Sequence, residues 1–499
     1  MAGQSNSGQT TSTQVGNGHG KPVAAADLSA EARALLGEFN WQPQPEAWRL
    51  VNELVKSLVD RNAWAARLAG RMRAETGTRL IDWVDHIAAP EGVLGGEGLW
   101  SRLQRAGYRH EPKEHAPGCH VNDKGILPPV IVGREPTTLV AIKVESVVEF
   151  MQAHELDHAG TLNDGLEMGE GSRLRMALGA REGDTQVWAI ERHGLWGFGY
   201  DDSTPAQRLH AMEHLTRLRT RRRRFDTDAQ GLAHTHALVD AAVAQIGQAW
   251  ACDLFFKAER EYWMRRNRAA QVQHARQQRL GLGWANHDHH TYRCSRQNFP
   301  AVVGLWEKLG FHCRERFYAG AQAGWGAQVM ENPTTGITTF NDVDMAPEEL
   351  FGDFSHQGFT RSLPTLSTVG LWVGLHGEAV LQAGMHHLEA QFDWQALVDQ
   401  LEREAHIKTM APFTTFPYLR QAFTEGERWA VEPARIAALA DGGLITREQA
   451  ETFAAHGAIG SHLENLERND GFKGFNQTGV SDIIARTDPR VLSRALAGA

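Results

Sequence analysis

A chain of 499 residues with 42% hydrophobic and 22% charged side chains has ordinary globular composition and is too long for one ordinary core. Its net charge of −9 argues against a general nucleic-acid binder. Four cysteines (Cys119, Cys252, Cys294, Cys313), none at CxxC spacing, exclude a disulfide framework and a zinc knuckle and fit a reducing compartment.

Residues 1–26, rich in Gly, Ser, Thr and Gln, read as a disordered tail. They lack the basic-then-apolar order of a secretory signal, and no run reaches the ~18 apolar residues of a membrane span. A cytoplasmic protein with no membrane partner is expected. Region 27–80 is predicted helical, opening at "DLSAEARALLGEF" with Ser29 as N-cap. Region 81–203 changes texture: "LIDWVDHIAAP" reads as a strand and "GLWSRLQRAGYR" as an amphipathic helix. That strand-then-helix unit recurs at "TLVAIKVESVVEF", at "NHDHHTYRCSRQNFPAVVGLWEKLGF" and at "MHHLEAQFDWQALVDQL", so an internal repeat is expected. A helical insert is predicted over 204–280, a second strand-and-helix region over 281–410, and a mostly helical region over 411–499. The fold class is therefore α+β, with repeated β-α-β units, a helical insert and a helical C-terminal region.

Strand alternation sorts the histidine-rich stretch "NHDHHTYRC". His287, His289, Thr291 and Arg293 are expected on one face, and Asp288, His290, Tyr292 and Cys294 on the other. Four polar residues in a row on an inward face are costly unless they line a wet or metal-bound cleft. A solvated edge strand is the plain alternative. His86 occupies the place of His289 in the first unit, and Glu331 ends the apolar strand "WGAQVMEN". Two neutral imidazoles and one carboxylate can hold Fe(II) or Mn(II) with open positions for substrate and dioxygen. His86, His289 and Glu331 are the expected set, with Asp342 and Asp344 as competing carboxylates. His387 and Glu389 share a face of a later strand, with His386 on the other; they are an alternative site, a set that orients the ligands, or a mixed surface strand. The arginine run at 217–224 is expected to be a solvated helix face paired with acidic residues. Neither a GK[ST] phosphate loop nor a GxSxG elbow is present.

The β-α-β-β-β grammar, with His on a first strand and Glu on a later one, resembles the vicinal oxygen chelate superfamily of glyoxalases and extradiol dioxygenases. Within it, "HHTYR" (His289–Arg293) and "WGAQVMENPTTGIT" are similar to the 2-oxoadipate dioxygenase/decarboxylase (hydroxyglutarate synthase) family, over roughly 80–200 and 285–410. The resemblance implies βαβββ modules curved around a metal cleft, Fe(2+) on His86, His289 and Glu331, and Arg293 on a substrate carboxylate. That family carries Arg-His-Gly at its first ligand, whereas this chain has Asp85-His86-Ile87; "ERHG" at Glu191–Gly194 makes His193 the competing first ligand. The implied function is a mononuclear non-haem Fe(II) dioxygenase acting on a small carboxylate such as a 2-oxo acid, with that substrate and O2 as partners, no nucleic acid, and an open oligomeric state. Mn, Zn or Ni are the alternative metals. The rival functions are a glyoxalase-type isomerase or lyase and a non-catalytic small-ligand binder.

Overall fold

The computed structural model describes residues 40–157, 173–198, 203–320, 323–476 and 487–490. The expected tail of 1–26 and the helix start at Ser29 lie outside these. Helices α1 (Pro45–Val59) and α2 (Ala63–Arg71) lead into the first sheet. α1 buries Leu50, Val51, Leu54, Val55 and Leu58, the three-to-four spacing of an amphipathic face, and the Asn62 side chain caps α2 by accepting from Ala65 N.

Each of the four expected units heads one module. The first runs β1 (Val84–Pro90), α3 (Leu99–Arg105), β2 (Arg109–His110), β3 (Cys119–Val121) and β4 (Val130–Gly133). The second has β5 (Thr138–Lys143), α4 (Val147–Ala153), β6 (Leu174–Glu182) and β7 (Thr185–Arg192). Together they form one sheet of order β2-β3-β4-β1-β5-β7-β6, with the head strands β1 and β5 antiparallel at its centre.

Four helices follow: α5 (Pro205–Thr220), α6 (Asp228–Ile246), α7 (Gln248–Met264) and α8 (Arg268–Gln278). The third module is β8 (His287–Cys294), α9 (Phe299–Lys308), β9 (His312–Tyr318), β10 (Trp325–Asn332) and β11 (Ile337–Asp344). After α10 (Thr368–His376), the fourth contains β12 (His387–Gln391), α11 (Trp394–Ala405), β13 (Thr414–Phe416), β14 (Leu419–Phe423), β15 (Glu427–Trp429), α12 (Pro433–Asp441), α13 (Arg447–His456) and β16 (Ala458–Arg468). The second sheet has order β13-β14-β16-β12-β8-β11-β10-β9, with β15 on β16 and the head strands β8 and β12 again antiparallel at the centre. The region after 410 thus carries two helices and also the strands that complete the fourth module. Because β16 is buried almost throughout, its apolar residues do not alternate with exposed polar ones.

The fold is α+β, built from βαβββ modules paired into two curved sheets. The helical insert packs on the outer face of the second sheet: Phe256 of α7 lies 5.0 Å from the His290 ring and 5.2 Å from Trp306 of α9. The arginine run is only in part the solvated helix face expected: Arg217, Arg219, Arg222 and Arg224 are exposed, but the helix ends at Thr220 and Arg221 and Arg223 turn inward. Arg221 and Arg223 bond Glu259 of α7 at 2.6 and 2.5 Å, and Arg219 bonds Glu261. Among the described residues no helix is long and apolar enough to cross a membrane.

Gly281, in the link from α8 to β8, has φ +66°, and a Cβ there would lie 2.3 Å from Phe150 Cα of α4. The two halves meet at a point only glycine fits. Gly281→Ala is expected to cost about 2 kcal/mol or more. Gly304→Ala, inside α9 with open space at the added methyl, is expected to gain up to ~1 kcal/mol. Calorimetric melting of both variants reads the difference, and a wild-type Tm for Gly281→Ala would refute the packing argument.

Candidate metal centre

The head strands share a local device. In β8 the register steps from Glu389↔His289 to Ala390↔His287, leaving Asp288 as the extra residue of a β-bulge. In β1 it steps from Val84↔Ile142 to His86↔Ala141, and Asp85 is the extra residue. Each bulge puts an Asp beside the following His. Asp288 accepts from His289 Nδ1 at 2.9 Å and is gripped by Arg468 of β16 at 2.7 and 3.0 Å. Asp85 accepts from His86 Nδ1 at 2.7 Å and is gripped by Arg192 of β7 at 2.9 and 3.0 Å. Burial opposes both charges, yet Arg468 and Arg192 hold these carboxyls well below the usual range. His86 and His289 are therefore equivalent positions, as the repeat implies, but each belongs to its own sheet.

The bulge also corrects the face assignment. His287 lies with His290, rings 5.1 Å apart, and its Nδ1 donates to Trp284 O. Strict alternation fails because one inserted residue shifts it by a step. His290, Tyr292 and Cys294 face the helix layer as expected, the Tyr292 ring lying 4.9 Å from Trp306 at a tilt of 51°.

In the second sheet the neighbours of His289 complete a site. Glu389 on β12 is its register partner, and Glu464 on β16 is the partner of Glu389. His289, Glu389 and Glu464 offer ligand atoms within 4.8 Å of one another. His289 Nε2 lies 2.8 Å from Glu389 Oε1, and His387 Nε2 lies 2.6 Å from the same oxygen and 3.4 Å from Glu464 Oε2. Thr291 donates to Glu389 at 3.1 Å and Gln421 to Glu464 at 3.0 Å. All four are at most 5% exposed, around a cavity of about 70 Å³ walled by Phe317, Trp325, Phe340, Phe413, Phe423 and Phe475.

The electrostatics suit a cation. Burial, and then each other's charge, pushes Glu389 well above the usual carboxylate range; burial pushes Glu464 up to about 7. Burial also lowers both imidazoles, His387 strongly, leaving neutral rings. A neutral His289 that gives its Nδ1–H to Asp288 turns a lone pair toward Glu389. That approach needs a proton or a metal between the two atoms. Two imidazole nitrogens and two carboxylates fit Fe(II), Mn(II) or Zn(II).

The other expected ligands sit elsewhere. In the first sheet, the positions of Glu389, His387 and Glu464 carry Ala141, Leu139 and Trp188, and an apolar cluster with Leu174 and Ile190 fills the cup. His86 packs edge-on to Phe198 and joins no metal-sized group among the described residues. Glu331 is on β10, separated from β8 by β11, and is paired at 3.1 Å with both Arg314 and Lys473. Asp342 does line the second cup, opposite Arg293 at 3.7 Å, and burial pushes it up to about 8. Asp344 instead holds the start of α10, accepting from Ser367 N at 2.7 Å. Arg293 is buried below Trp372, 5.6 Å from its ring. Glu464 escaped sequence reasoning, although "HLE" occurs at both 387–389 and 462–464 and the two copies pair in register.

No protein-family model matches the chain, and comparison with curated proteins finds no relative. Among solved structures, a putative glyoxalase superfamily protein from Ralstonia eutropha aligns at 11% identity and TM-score 0.31, over 54% of this chain and 96% of that one. A 4-hydroxymandelate synthase mutant from Streptomyces coelicolor aligns at 11% and 0.24, over 71% and 96%. YdcJ from Shigella flexneri, which includes domain DUF1338, aligns at 12% and 0.22, over 48% and 73%. The fold rests on the strand order above.

His193, the competing first ligand, is committed to an ion cluster. Its Nδ1 and Nε2 reach Asp253 and Glu191 at 2.7 and 2.8 Å. Burial disfavours its charge, but Asp253 and Glu191 outweigh that and push it up to about 9. A raised pKa stabilises fully below the unfolded value near 6.5 and is lost as pH rises through about 9. The stability gap between wild type and His193→Asn is therefore expected to be widest near pH 6 and below, on the order of 2 to 3 kcal/mol. It should narrow between pH 7 and 10 in thermal melts, and a pH-independent gap would contradict the charged-histidine cluster.

Proposed function

We propose that this protein is a non-haem Fe(II)-dependent dioxygenase acting on a small carboxylate substrate, with a 2-oxo acid as the favoured class. The observation that carries this reading is the convergence of His289, His387, Glu389 and Glu464 at the floor of an aromatic-walled cup whose lining also includes Asp342, with Arg293 buried 3.7 Å behind it. Iron held there would supply a template for the substrate and the one-electron chemistry that dioxygen needs. The chain's own residues do the rest. Asp288, fixed by Arg468, aims His289 Nε2 into the cup. Thr291 and Gln421 fix the two carboxylates by donating to them. Arg293 offers a buried guanidinium for a substrate carboxylate, with the carboxyl of Asp342 3.7 Å away between it and the cup. The phenylalanine wall keeps water from the reacting groups.

Purified protein reconstituted with Fe(II) is expected to hold close to one iron per chain and to consume oxygen with a member of a 2-oxo acid panel. His289→Ala and Glu464→Gln should each lower iron content at least tenfold, whereas His86→Ala and Glu331→Gln should leave it unchanged. Arg293→Ala should retain iron and raise KM. Iron retained by His289→Ala would refute the centre; iron held with no oxygen uptake on any substrate would favour a metal-dependent isomerase instead.

A further inference from the structure

The second cup holds more imidazole than this centre uses. His386, His387 and His462 each offer a ring nitrogen, and those atoms lie within 4.8 Å of one another. His387 and His462 are register partners on β12 and β16, with rings stacked at 4.7 Å. His386, just before β12, is tethered by its backbone N–H to Thr291 O at 2.8 Å and closes the triangle at 4.5 and 4.8 Å. Trp372 lies 4.9 Å from His386 and Phe423 lies 4.1 Å from His462, so the rings are pinned by aromatic contacts.

The hydrogen-bond inventory of this triad does not close. His386 Nδ1, His387 Nδ1 and both nitrogens of His462 are buried without a partner. Each such atom costs roughly 1–3 kcal/mol, and one shared cation would take three of the four, one from each ring. His386, His387 and His462 are 1%, 5% and 1% exposed. Burial, with Arg293 and neighbouring rings, keeps all three neutral, the form that binds a metal. Their donors are all nitrogen, which favours copper or zinc over iron. His387 turns Nε2 toward Glu389 and Glu464, and its Nδ1 remains for the triad.

We propose that His386, His387 and His462 form a second, all-imidazole cation site for copper or zinc; when both centres are filled, His387 bridges them as an imidazolate, its remaining ring proton being released to solvent as the second cation binds. The triad stands on its own geometry; only the bridging role of His387 rests on the proposed function.

Metal-free full-length protein titrated with Zn(II) and measured by mass spectrometry is expected to saturate at two equivalents. His462→Leu and His386→Leu should each fall to one, and so should the Glu389→Gln/Glu464→Gln pair. Wild type saturating at one equivalent that survives His462→Leu and is lost in the glutamine pair would overturn this site and leave the proposed centre standing. One equivalent lost in His462→Leu and kept in the glutamine pair would do the reverse. A wild-type measurement covers variants that fail to fold. With Cu(II) as probe, the second equivalent should show superhyperfine splitting from three nitrogens and should weaken the first signal by coupling through the shared ring. A second equivalent in oxygen surroundings, or none, overturns the proposal.

Discussion

Two glutamates stand side by side on neighbouring parallel strands inside a dry cup, and the second sheet is organised around that constraint. Glu389 and Glu464 are register partners, each no more than 2% exposed. Burying one carboxylate costs several kcal/mol, and a like charge alongside adds to it. The surroundings answer in two ways: Thr291 and Gln421 donate to the pair, and two neutral imidazoles present nitrogen to it. A divalent cation removes the repulsion outright. Nothing of the kind burdens the first sheet, where Ala141 and Trp188 occupy the same register positions.

The bulged Asp-His pair acts differently. It appears in both sheets with the same arginine clasp, so it cannot be explained by the carboxylate pair, which only one sheet has. Its physical effect is to place two consecutive side chains on one side of a strand, which an unbulged strand does not allow. Asp288 can then hold His289 Nδ1 while Nε2 points at Glu389. In the first sheet the same geometry points His86 at Phe198 and packs an apolar cup. The device is structural in both halves, and it becomes chemical where its neighbours are acidic.

Much of the architecture was legible in the chain. The four strand-to-helix units head four modules because a strand followed by an amphipathic helix leaves a periodic trace whatever the sheet around it. His387 and Glu389 were within reach because alternation places them on one face of β12. Glu331 misled because an acid ending an apolar strand looks the same whether it faces a cleft or, as here, Arg314 and Lys473. Only strand order places β11 between β10 and β8. His287 misled because a bulge is a register event, invisible until the partner strand is known. Glu464 was hidden for another reason. β16 is buried on both faces, and Leu463 and Leu466 sit at a spacing that also suits a helix.

The two halves are not independent in consequence. Between them lies a cavity of about 380 Å³ lined by Lys143 and Arg192 from the first sheet and by His287 and Gln391 from the second. Gln391 donates to Asp288 Oδ2 at 3.0 Å, on the carboxylate that orients His289. Arg192, across the same cavity, clasps Asp85 in the first sheet's copy of that arrangement. The wall where the halves face each other is therefore continuous with the outer support of the proposed metal ligand. An apolar, fully packed first cup gives that wall a rigid backing, since close-packed interiors transmit displacement rather than absorb it. Asp288 itself is held by Gln391 and Arg468 of the second half, and the first half meets that support across the cavity, where Lys143 and Arg192 face Gln391.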